Sequence, residues 1–104
     1  MLSIKKGVKL HSLSPQMAIA TMIINQTCND HALDCVITSG SDGKHMAHSY
    51  HYTGNALDFR HTYPGAKSPV DSTDIRIAIT EKLGENFDVV VEQSHIHVEY
   101  DPHK

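Results

Sequence analysis

Two cysteines in 104 residues are too few for a disulfide scaffold, and Cys28 and Cys35 do not have the C-x-x-C spacing of a redox or metal motif. Both are expected to be reduced, partly buried thiols. No uninterrupted apolar run is long enough to cross a bilayer, and the opening "MLSIKKGVKLHSLSP" carries lysines without a following apolar stretch of signal-peptide length. Neither sign of charge dominates: a formal net charge of -3 gives no electrostatic reason to bind nucleic acid or an anionic membrane. Internal repeats and low-complexity segments are also lacking. These absences exclude a disulfide-stapled secreted module, a membrane span, a polyanion binder and a repeat array. What remains is a single globular domain over residues 1–104, with 20% charged and 39% hydrophobic residues, both within the range of ordinary soluble domains.

Histidine is the residue in excess. There are nine, most of them between His45 and His61 or between His95 and His103. Imidazole is the commonest metal ligand and titrates near neutrality, so clustering points to a site. His11, His31, His61 and His103 lie outside any motif and are read as surface residues, and His45 and His48 either as solvated loop residues, the commoner case, or as residues lining the cleft or helping to bind metal.

The pattern of elements is mixed. "SPQMAIATMIINQTCNDH" starts with Ser14 as N-cap and Pro15 at the first helical position, and Met17, Ala18, Ala20, Thr21, Ile24 and Cys28 follow helical spacing. "LDCVITSG" reads as a short strand ended by a turn at Asp42-Gly43, and a long loop follows. "GNALDFR" reads as a strand, and "HTYPGAKSP" as a surface connection. A second helix begins at Asp71 or Ser72, faces inward through Ile75, Ala78, Ile79 and Leu83, and stops at Gly84. "FDVVVEQSHIHVEY" is two β-rich runs joined at Gln93-Ser94, read as a hairpin. The predicted class is α+β, with two main helices packed on one face of an antiparallel sheet.

A two-residue turn in that hairpin sets Glu92 opposite His95 and Val90 opposite His97, all on one face, while Val89, Val91, Ile96 and Val98 face the core. One face is hydrophobic and the other is chemically equipped. Upstream, "SYHYTGNALDF" places His51 and Asp58 seven positions apart, with Gly54 able to provide the bend between them. A catalytic zinc takes three protein ligands and a water, and His51, Asp58 and one hairpin histidine supply three nitrogen and carboxylate donors. Glu92 is then left to take a proton from the bound water.

These residues amount to a resemblance. "SYHYTGNALDF" resembles the S-x-H-x-x-G-x-A-x-D signature of the zinc D-alanyl-D-alanine carboxypeptidases and related peptidoglycan peptidases at Ser49, His51, Gly54, Ala56 and Asp58. "FDVVVEQSHIHVEY" is similar to the second motif of the same superfamily, which includes the zinc-bearing domain of hedgehog proteins. The similarity runs from Val36 to Tyr100. It implies a hedgehog/DD-peptidase-like fold with the zinc site on the sheet face opposite the helices. It also implies His51, Asp58 and His97 as Zn2+ ligands, Glu92 as general base and His95 as the residue that steadies the oxyanion. Relatives with an acid three residues before the ligand would select His95 instead; those with H-x-H use the second histidine, and His97 is preferred here.

One departure bears on specificity. Many relatives hold the substrate carboxylate with an arginine in the turn after the first strand, and here that turn reads "TSGSDGKH". Ser49, Lys44 and Arg60 are the substrate-binding candidates, although an ammonium does not reproduce a bidentate guanidinium clamp. Tyr50 and Tyr52 are read as packing or substrate-shelf residues. Glu99 shares the face of His97, either to accept a hydrogen bond from it or as an exposed strand carboxylate. The expected function is therefore a monomeric zinc metallopeptidase, a hydrolase cutting an amide bond in a peptidoglycan stem peptide or cross-bridge. Its action is carboxypeptidase-like or that of an endolysin-type endopeptidase in cell-wall degradation. With no export signal it is expected to be cytoplasmic until released, or virion-associated if phage-encoded. The competing expectation is a non-catalytic zinc-containing binding or virion structural domain on the same scaffold.

Overall fold

The computed structural model describes residues 2–10, 12–31, 34–41, 54–60, 72–92 and 95–102. Within them the chain runs β1 (Leu2–Ile4), α1 (Pro15–Asp30), β2 (Cys35–Ser39), β3 (Ala56–Arg60), α2 (Ser72–Leu83), β4 (Phe87–Val91) and β5 (His95–Tyr100). The class is α+β, with two helices and one five-stranded sheet in the order β1-β2-β3-β5-β4.

The sheet is mixed, which corrects the expectation of a purely antiparallel one. β1 pairs parallel to β2, in register Leu2 with Cys35 and Ile4 with Ile37. A parallel neighbour requires a crossover, and α1 provides it. Three exposed residues are too short a run for a legible alternation, so "LSI" gave no strand signal. All other pairings are antiparallel.

Helix α1 begins as its sequence dictates. The Ser14 side chain accepts a hydrogen bond from the Met17 amide at 3.2 Å, and Pro15 occupies the first turn, where its missing N–H costs nothing. Met17, Ala20, Thr21, Ile24 and Cys28 are buried as the spacing predicts, but Ala18 is exposed and Thr27 is fully buried instead. The Thr27 hydroxyl donates to the Ile23 carbonyl and that of Thr21 to the Met17 carbonyl, both at 2.8 Å. Each buried hydroxyl is thus satisfied within the helix, which lets threonine stand at core positions. Helix α2 contributes Ile75 and Ile79, with Leu83 packed at the margin, and Gly84 closes it at φ 86°. Asp71 lies outside the described residues.

Both helices share one core with Cys35 and Ile37 of β2, Leu57 and Phe59 of β3, and Ile96 and Val98 of β5. Period-two alternation leaves Ala56, Asp58 and Arg60 of β3, and His95, His97 and Glu99 of β5, on the opposite face. Val89 packs against the core as predicted, whereas Val91, at the end of the edge strand β4, is exposed. Cys28 and Cys35 are free, buried and hydrogen-bonded to each other; that contact, with burial, pushes the Cys35 thiol up, so it stays protonated. Among the described residues no helix is long and apolar enough to cross a membrane.

Burial separates two residues two positions apart on α1: Ile24 has no exposed surface and Met22 is 72% exposed. Ile24→Ala is expected to lower unfolding free energy by about 2–5 kcal/mol. Met22→Ala is expected to change it by no more than about 0.5 kcal/mol, as chemical denaturation of the two variants will read.

Candidate metal centre

The site is built on the two central strands. β3 and β5 pair so that Ala56 faces Glu99, Asp58 faces His97 and Arg60 faces His95, three rows on the face turned away from the helices. Cross-strand partners on one face stand close enough for their side chains to meet. In the middle row His97 Nδ1 lies 3.0 Å from Asp58 Oδ1. The other Asp58 oxygen, Oδ2, is 3.7 Å from His95 Nε2. On its far side the His97 ring meets Glu99, with Nε2 at 2.7 Å from Oε1.

Asp58 is only 7% exposed. A carboxylate withdrawn that far from water has to be compensated by a cation or by hydrogen-bond donors, and both hairpin histidines are turned toward it. The hydrogen bond to Asp58, reinforced by that to Glu99 and opposed by burial, raises the pKa of His97 above the usual histidine range. In the absence of metal a doubly protonated His97 can donate to both carboxylates at once.

The hairpin that carries the histidines is closed by the Glu92 amide donating to the His95 carbonyl at 2.8 Å. Val91 pairs with Ile96 and Val90 with His97, which is the predicted register. The turn residues Gln93 and Ser94 lie outside the described residues. Glu92 is exposed, across from His95 at the end of the hairpin, and Arg60, half-buried on β3, pairs with the same histidine from the other side. Of the predicted site residues, Asp58, His95 and His97 are brought together, with Arg60 and Glu92 next to them. His51, Ser49 and Lys44 lie outside the described residues, as do His45, His48, Tyr50 and Tyr52.

Two features were not read from the sequence. One is an acidic group: Asp88 pairs across the sheet with Glu99, and with Asp101 their carboxylate oxygens gather within 4.8 Å of one another. Among the described residues this is the triplet close enough to hold a metal ion. The alternation that placed Glu99 beside His97 also puts Asp88 on this face, so the signal was there.

The other is a clasp made by the N-terminal segment. The Lys9 carbonyl accepts from the Ser41 amide at 2.7 Å and from its hydroxyl at 3.1 Å, and the Ser14 amide donates to the Gly54 carbonyl at 2.9 Å. Residues 41 and 54 flank the connection that bears His51, so both of its ends are tied to one short segment. Gly54 takes φ 76°, which supplies the expected bend, and a Cβ there would fall on the Ser12 carbonyl oxygen. The motif glycine is thus required twice over, by conformation and by space. Nothing in the periodicity of "GVKLHSL" reveals such a backbone contact.

No family model, curated protein or solved structure matches the chain.

Two measurements follow from this geometry. Gly84 also has a positive φ but has no atom within 4 Å of a Cβ, so Gly84→Ala is expected to cost only the left-handed conformation, about 1–2 kcal/mol. Gly54→Ala is expected to cost more, since it must also displace the Ser12 carbonyl, and a lower denaturation midpoint for Gly54→Ala than for Gly84→Ala checks it.

The second concerns the metal-free protein. A histidine whose pKa is raised on folding contributes stability that is complete below its unfolded value, about 6.5, and is lost as pH rises through the folded value. Melting temperature in chelator is expected to fall from pH 6 upward, and His97→Asn to flatten that slope; identical slopes in both proteins would contradict it.

Proposed function

We propose that the chain is a zinc-dependent peptidase that hydrolyses an amide bond in peptidoglycan peptides, on a fold of the hedgehog/D-alanyl-D-alanine peptidase type. The observation that carries this reading is the Asp58–His97 pair. Its 3.0 Å separation is near the spacing of about 3.3 Å between two ligands of a tetrahedral zinc with bonds of about 2.0–2.1 Å. A buried carboxylate oxygen and an imidazole nitrogen this close together are a donor pair that suits zinc, and His51 is the third ligand in this reading. His97 is favoured over His95 as the hairpin ligand because its nitrogen is the closer to Asp58, at 3.0 Å against 3.7 Å.

Zinc held there supplies a Lewis acid and a water acidic enough to be deprotonated near neutral pH. The chain's own residues do the rest. Glu92 takes the proton of the attacking water on a carboxylate oxygen and delivers it to the leaving amine nitrogen. His95, one row beyond the liganding pair, donates a ring N–H to the carbonyl oxygen as it gains negative charge. Arg60, which pairs with His95, is in this reading the group that binds a substrate carboxylate, in the role that the "TSGSDGKH" turn leaves without an arginine. The core on the opposite face fixes β3 and β5 and therefore the rows these groups occupy.

A second reading is a metal-bearing domain without turnover, favoured by the exposure of Glu92, since a general base is more often partly withdrawn from water. One experiment separates the two: zinc content and hydrolysis of purified wall peptides by the native protein and by Glu92→Gln. The peptidase reading expects one bound zinc in both and a loss of turnover of about 100- to 10,000-fold in the variant. Equal turnover would reject Glu92 as base, zinc without turnover in either would favour the binding domain, and no zinc in either would reject both.

A further inference from the structure

The neutral imidazole of a metal ligand has one N–H and one lone pair, so the group beside the second nitrogen decides which nitrogen is left for the metal. His97 has a carboxylate at each edge: Asp58 Oδ1 at 3.0 Å from Nδ1 and Glu99 Oε1 at 2.7 Å from Nε2. We propose that Glu99 is a positioning residue that holds His97 with its proton on Nε2, so that Nδ1 shares the metal with Asp58. The inference rests on the metallopeptidase reading of this site.

Three observations support it. Glu99 is two residues beyond His97 on the same strand, hence on the same face, and its reach is set by the strand rather than by a loop. The contact is the shorter of the two that His97 makes, which fits the donor N–H lying on that side. Glu99 also belongs to the Asp88–Glu99–Asp101 group, so negative charge is concentrated at the Nε2 edge of the ring. That charge favours an N–H there and pushes electron density toward Nδ1, making it the stronger ligand. The acidic group therefore has a role without holding an ion of its own.

The test uses the whole chain at one fixed pH. Zinc affinity is measured by competition with a chromophoric chelator for the wild type, Glu99→Gln and Glu99→Leu. Two-bond proton–nitrogen spectra of the zinc-loaded wild type and Glu99→Gln identify the protonated nitrogen of His97. The proposal expects an Nε2 proton and a metal-bound Nδ1 in both. Leucine, which accepts nothing, should weaken zinc about 10- to 100-fold, and glutamine, whose side-chain oxygen still accepts the hydrogen bond from Nε2–H, should weaken it less. Equal affinity in wild type and Glu99→Leu would overturn the proposal, as would ligation through Nε2. The spectrum of the wild type decides the nitrogen even if the leucine variant does not fold. A wild type that takes up no zinc would bring down the metallopeptidase reading and this inference together, whereas normal zinc uptake with an indifferent Glu99→Leu would remove the inference alone.

Discussion

A carboxylate that is 7% exposed in the middle of a sheet is the constraint around which this molecule is arranged. Asp58 sits on β3, paired on one side with β5 and on the other with β2, and its neighbours on the same face include both hairpin histidines. Leaving it unpartnered would cost several kcal/mol, far more than any single surface contact returns. The compensation must therefore come from hydrogen-bond donors or a cation beside it, and both hairpin histidines are on that face. His97 supplies part of it, its Nδ1 lying 3.0 Å from Asp58 Oδ1, where a ring N–H can donate a hydrogen bond to the carboxylate. In the proposed zinc site the same pair would couple metal affinity to folding and to proton release.

The backbone around Asp58 is also irregular. The β2–β3 pairing shifts register between Ile37–Phe59 and Ser39–Asp58, so the ladder is interrupted at the residue that faces His97. Such irregularities bend a strand and re-aim a side chain, and they recur beside functional sites. Here the shift is flanked by Gly40, whose missing Cβ leaves room for the Lys9 carbonyl. The result is a polar face graded along its length. Ala56 and the acidic group lie at one end, the Asp58–His97 pair is in the middle, and Arg60, His95 and the exposed Glu92 are at the other.

How much of this could be read from residues alone depended on periodicity. The two helices, the β2, β3 and hairpin strands, and the split of β5 into Ile96 and Val98 against His95 and His97 were legible because burial imposes periods of 3.6 and 2. The hairpin register was legible for the same reason: slipping it by one residue would bury the histidines and expose the valines. β1 was not, because three exposed residues carry no period, and the parallel pairing it makes needs a crossover that no local pattern encodes. Thr27 was missed because its hydroxyl is satisfied inside its own helix, so a residue that reads as polar behaves as apolar. Asp58 and His97 were found as residue types at motif positions, while their 3.0 Å approach depends on β3 and β5 being neighbours, which follows from the whole sheet order.

The N-terminal segment shows why the motif glycine and the strand carboxylate belong to one design. Ser14 has two separate roles: its side chain caps α1, and its amide holds the Gly54 carbonyl at the foot of β3. Two residues into β3 from Ala56 stands Asp58. The helix that builds the core therefore also fixes the start of the strand that carries the buried carboxylate, and Lys9 fixes Ser41 at the other end of the same connection. Anchoring both ends reduces the conformational freedom that any residue in between must lose to reach a ligand. The proposed three-ligand centre would draw two of its ligands from the paired central strands β3 and β5 and the third from a connection whose two ends are clasped.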